Sequence, residues 1–131
     1  MSIPPILLYC LMAAAAMPYV PYLAVTIGRF QAGYDFNAPR ALFDKLPDYA
    51  KRATWAHQNS FEVFPLFATA VLMVCVTGRT IPATETAAIA FVVLRLLYSA
   101  FYIANIPAAR SGCWALGMAC IGSLMLTSLG G

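Results

Sequence analysis

In 131 residues the chain carries 62% hydrophobic and only 10% charged side chains, against about a quarter charged in soluble domains. So much apolar surface cannot be hidden in one small soluble core, which excludes a soluble globular enzyme and makes lipid the solvent. The net charge of +3 is too small and too scattered for a nucleic-acid surface.

Four apolar segments, each near the ~20 residues needed to cross a bilayer, predict an all-α integral membrane protein of one domain. The first runs from about Pro4 to Ile27, with Pro18 and Pro21 inside it. No basic residue precedes its apolar stretch, and the stretch runs on past the small residues Ala13 to Ala16, so it reads as a retained helix kinked at those prolines, not as a signal peptide. A mixed polar connection of about residues 28–49 follows, with Asp35, Asn37, Pro39, Asp44 and Pro47, and it cannot lie in lipid. The second span covers about Thr54 to Val76, the third about Ala83 to Ile106 and the fourth about Ser111 to Leu129. The connections at Gly78–Pro82 and Asn105–Arg110 are short, so consecutive helices are antiparallel neighbours in an up-down four-helix bundle.

Orientation follows from the loop cations. The first and third connections share one side and hold Arg29, Arg40, Lys45, Lys51, Arg52 and Arg110, whereas the other side has only Arg79. By the positive-inside rule the basic loops lie in the cytoplasm and both termini outside.

Ionisable side chains at membrane depth are costly, and the second and third spans carry several. Arg52, Asn59 and Glu62 fall near one face of the second helix, and Arg95, Tyr98 and Tyr102 near one face of the third. Glu62 lies ten residues beyond Arg52, and Arg95 ten residues before Asn105. At about 1.5 Å per residue both are roughly 15 Å from the cytoplasmic helix ends. The matched depths predict a Glu62–Arg95 ion pair, serving either to lock helix register or to function. Nearer the cytoplasm, Arg52, His57, Asn59, Tyr98, Tyr102 and Arg110 suit a small anionic ligand, with guanidinium forks for carboxylate and Tyr hydroxyls on apolar bodies. Interfacial Tyr also serves as a belt anchor, and helix-end cations as topology signals.

Cys10, Cys75, Cys113 and Cys120 have no metal-like spacing and read as small buried hydrophobes. His57 is the only histidine, so a metal site is not expected, and a packing or hydrogen-bonding role fits it better. No Ser-His-Asp set, phosphate loop or paired catalytic carboxylates can be assembled.

The pattern Arg52-x4-His57-Gln58-Asn59-x2-Glu62-x2-Pro65, then Arg95-x2-Tyr98-x3-Tyr102, then Arg110 at the head of the fourth helix, resembles the MAPEG superfamily, membrane-associated proteins in eicosanoid and glutathione metabolism. The resemblance runs from about Arg40 into the fourth helix. It implies a homotrimer of four-helix subunits binding glutathione between neighbours near the cytoplasmic surface, with lipids and a lipophilic small molecule as further partners. It places Asn59, Glu62, Tyr98 and Tyr102 at glutathione contacts, Arg95 at the intramembrane Arg, and Arg110 as the residue that stabilises the glutathione thiolate. Arg52 and His57 join the glutathione-binding set expected here. Two positions depart from the pattern. Glutathione-conjugating members carry an Arg four residues before the Asn, where this chain has Trp55. Leukotriene-forming members often carry Tyr after the Glu, where it has Val63.

The expected function is therefore a membrane glutathione S-transferase or peroxidase acting on lipophilic electrophiles. The alternatives are a non-catalytic lipid-binding protein of the same fold and a structural subunit of a membrane complex. The latter draws on the small residues Gly112, Ala115, Ala119, Gly122 and Ser123 of the fourth helix. The simple N-terminus favours a bacterial inner membrane.

Overall fold

A computed structural model describes residues 2–131, and every regular element among them is helical. The first span comprises α1 (Pro5–Ala16) and α2 (Tyr19–Gln31). It divides at Met17–Pro18 because Pro18 has no N–H for the preceding turn, and Pro21 repeats the loss one turn on. The other spans are α3 (Asp48–Thr77), α4 (Pro82–Ile103) and α5 (Pro107–Ser128). All four spans are long and apolar enough to cross a membrane, and together they form a four-helix membrane bundle.

Helix ends follow local chemistry, which is why they differ from the apolar limits. Helix α3 begins six residues before the hydropathy suggests. Pro47 holds Leu46 extended (ψ 148°), and Asp48 then opens the helix, where its charge complements the dipole. Gly78 closes α3 in the left-handed region (φ 69°), returning its N–H to the Cys75 carbonyl. At the start of α4 the Thr84 hydroxyl accepts from the Ile81 N–H at 3.1 Å and donates to the Ile81 carbonyl. Asn105 takes the left-handed turn (φ 61°) between α4 and α5, and Pro107 begins α5. The polar connection is not irregular throughout: Pro39–Lys45 form a 3-10 helix whose Leu42 is buried, as is Leu46 just beyond.

Helix α3 is the hub, packing on α2, α4 and α5. Its buried face runs Ala50, Ala53, Ala56, Ser60, Val63, Phe67, Ala70, Val71, Val74, a helical stripe that changes size along its length. Small residues line the half near the basic connections and allow close approach. There a Cβ on Gly28 of α2 would collide with the Ala50 Cβ. Large residues fill the other half, where Phe67 stacks on Phe91 (4.0 Å between centroids) among Leu7, Val71, Ile121 and Leu124. Cys10 and Cys75 belong to this core as free thiols. The outward faces of all spans carry large apolar side chains such as Leu8, Met12, Leu23, Leu72, Val93, Leu116 and Leu126, as a lipid-facing or subunit-facing surface requires.

Candidate functional site

The packing puts small residues on α3 at the end where the basic connections lie, and the space this leaves is lined by polar side chains. Two cavities open there, on different flanks of α3. The smaller, about 270 Å³, lies between α3, α4 and α5 and is lined by Asn59, Tyr98, Tyr102, Arg110, Ser111 and Trp114. Thus four of the seven residues expected to contact or activate the ligand converge, from three helices. The Arg110 guanidinium lies 4.7 Å from the centre of the Tyr102 ring, which meets the Tyr98 ring edge to face at 5.6 Å. Arg110 also reaches the Ser111 hydroxyl at 3.5 Å. No carboxylate lines this cavity, so its guanidinium is available to an anion.

Behind the cavity, Arg95 is 2% exposed on the stripe of α4 that faces α3. The expected Glu62–Arg95 ion pair is not formed. Arg95 Nη2 donates to Asn59 Oδ1 at 2.9 Å and approaches Ser60 Oγ at 3.4 Å, while the guanidinium lies over the Tyr98 ring at 4.0 Å. The two residues lie at similar depth but face different ways about their helices. Arg95 meets α3 between Asn59 and Ser60; at 100° per residue Glu62 lies about 60° from Asn59 on the side away from Ser60, and about 160° from Ser60. Glu62 is exposed there and lines the second cavity instead.

The other expected residues have separate positions. Arg52 donates through Nε and Nη2 to the Ile103 carbonyl (3.1 and 3.0 Å), satisfying an orphan group at the end of α4, and it lines neither cavity. His57 Nδ1 lies 2.6 Å from the Pro18 carbonyl. That oxygen can only accept, so Nδ1 carries the proton, and the ring pins the break between α1 and α2 to α3. Tyr22 and Phe61 pack on it at 5.1 Å each. The two departures from the family pattern also resolve differently. Val63 turns into the bundle core, so its position does not face a cavity. Trp55 is 42% exposed and bridges Phe43 (5.8 Å) and Tyr102 (6.4 Å), forming an aromatic ledge beside the smaller cavity.

The second cavity, about 750 Å³, lies between α2, the 3-10 helix and α3, and includes Tyr22, Arg29, Arg40, Phe43, Phe61 and Glu62 in its wall. In the sequence Arg29 registers only as a topology signal. A signal did exist in Arg29, which falls on the same α2 stripe as the buried Val25 and Pro21.

Comparison with family models matches residues 6–130, nearly the whole chain, to the model described as MAPEG family. Comparison with curated proteins and with solved structures finds no match.

Proposed function

The chain belongs to the MAPEG family, and from that premise we propose that it is a membrane-bound glutathione S-transferase or peroxidase whose thiol site is the cavity between α3, α4 and α5. The observation that carries this reading is the convergence of Arg110, Tyr102, Tyr98 and Asn59 on one space. Glutathione is an anion with a thiol. Arg110 would lie against the sulfur, where a neighbouring guanidinium favours the thiolate, the nucleophilic form. The thiol proton passes to water. The thiolate then bonds to an electrophilic carbon of a lipophilic substrate as the leaving group departs with its electron pair. In the peroxidase variant, two glutathiones reduce a lipid hydroperoxide to its alcohol and water and leave as the disulfide. Holding both reactants at a lipid-facing cavity supplies the proximity term.

Within this reading Tyr98, Tyr102 and Asn59 position the tripeptide. Arg95 positions Asn59 from behind. The bonds that Arg52 and His57 make to backbone carbonyls support a structural role for both. The working unit is a homotrimer in a bacterial inner membrane, with neighbours closing the cavity near the cytoplasmic surface. The test is ultraviolet absorbance. Purified protein with glutathione should show thiolate absorbance near neutral pH and conjugate a generic electrophile, and Arg110→Ala should lose both. Binding without thiolate formation would end the enzyme reading. Trp55 supports a second reading, a non-catalytic binding protein, because it stands where conjugating members keep a cation. That reading expects glutathione-independent lipid binding and no conjugation.

A further inference from the structure

The outward stripe of α2 does not stop where the helix does. Val20, Leu23, Ile27 and Phe30 are exposed along α2, at the spacing of a single helical face. Phe30 is one residue from the end of the helix. Beyond it Gly33 takes the left-handed region (φ 89°), a turn that a side chain would strain. Tyr34 then packs on Phe30 with 4.8 Å between ring centroids, and Phe36 on Tyr34 with 4.6 Å. The three rings form a ladder that carries the apolar stripe out of the span and into the polar connection.

The outermost ring is the least covered. Phe36 is 79% exposed and Phe30 61%, so most of the ladder's apolar area is left for something outside the subunit. The backbone around it is prepared to leave bulk water. The N–H groups of Ala32, Gly33 and Ala38 donate to the carbonyls of Gly28, Phe30 and Asp35. The Asn37 N–H donates to Asp35 Oδ1 at 3.0 Å, which engages the carboxylate that stands between the two outer rings. Hydrocarbon is closed to a polar connection, but the headgroup boundary accepts one whose donors are partly satisfied within it. Aromatic rings favour that layer, and a Tyr hydroxyl keeps its polar tip toward water there.

We propose that Phe30, Tyr34 and Phe36 form an interfacial anchor, laid into the boundary between lipid headgroups and acyl chains, which moors the α2–α3 connection to the bilayer surface. Lipid is the occupant of this face because the ladder continues the outward stripe of α2 at the very end of that span. The anchor is independent of the glutathione reading, since none of its three rings lines either cavity.

Full-length protein in phosphatidylcholine nanodiscs would carry a nitroxide on Asn37→Cys, which leaves the ladder intact, or on Asp44→Cys, exposed on the 3-10 helix. The signal of the unsubstituted chain, whose own thiols are buried or half-buried, is subtracted. Two relaxants then report the surroundings of the label: oxygen, which concentrates in lipid, and a water-soluble nickel chelate. The ratio of oxygen to nickel collisions should be about threefold or more higher at position 37 than at position 44. Adding Phe36→Ser should lower the ratio at position 37 to that at position 44. If Phe36→Ser does not fold, Tyr34→Ser takes its place, with a partial fall expected. Equal ratios at the two positions with the ladder intact overturn the proposal, as does an unchanged ratio in folded Phe36→Ser. Exclusion of both relaxants with spin–spin broadening overturns it too, by putting a second copy on the ladder.

Discussion

Arg95 and Glu62 show how a buried charge is handled when its obvious partner faces elsewhere. Arg95 is held by a neutral amide, a hydroxyl and a tyrosine face, which spreads its charge over dipoles and a ring quadrupole in place of a carboxylate. Asn59→Ala should therefore destabilise the protein by about 1–3 kcal/mol by stranding a buried guanidinium donor, whereas Glu62→Gln should stay within about 0.5 kcal/mol. Unfolding in mixed micelles measures both, and the reverse order would restore the ion pair. Trp55 makes a second residue-scale point. Trp55→Arg would return a cation to the ledge beside Arg110 and Tyr102, and should tighten glutathione binding about three- to tenfold by calorimetry. Unchanged affinity would mean that glutathione does not lie against that ledge.

Among the elements, α2 and α3 are joined by their closest approach and by hydrogen bonds at both ends. Gly28 lies against Ala50, His57 holds the Pro18 carbonyl, and the Tyr49 hydroxyl bonds to Gln31. The small residue at position 28 is what lets the 3-10 helix and α3 close over Arg29. In Gly28→Ala the new methyl would collide with the Ala50 methyl, with backbone on both sides. The expected cost is about 1–3 kcal/mol of overpacking, seen as a lower midpoint of thermal unfolding. A variant as stable as the parent would show that the two helices separate freely. Proline divides the first span but not α3, where Pro65 lies within the helix on an exposed face. It removes one N–H from the ladder at a position where its ring has room.

For the whole molecule, a bundle with so many outward apolar side chains has its surface explained by lipid, by other copies, or by both. On α5, Gly112, Ala115, Ala119 and Ser123 are exposed, and nothing lies within 4 Å of a Cβ added at Gly112 or Gly122. Such a stripe admits a neighbouring helix at short range. If it lies in the expected trimer, Ala119→Trp should shift native mass spectra from trimer to monomer while the helical content measured by circular dichroism stays the same. A trimer that survives the substitution would place the contact on another face.

By itself the sequence determined the solvent, the number of spans, the break at the prolines, the basic end and the family, because each of these is a quantity measured along the chain. Hydropathy over about 20 residues reads depth, and proline and glycine read helix limits. Asn59, Tyr98, Tyr102 and Arg110 were legible as a group for the same reason: all lie at similar depth near one end. Only the tertiary structure decided which way each side chain turned about its helix. It placed Glu62 away from Arg95, engaged Arg52 and His57 with backbone carbonyls, buried Val63 in the core and sent Arg29 inward. Rotation is set by the packing of small against large residues between helices, through contacts of long sequence separation that no one-dimensional pattern records.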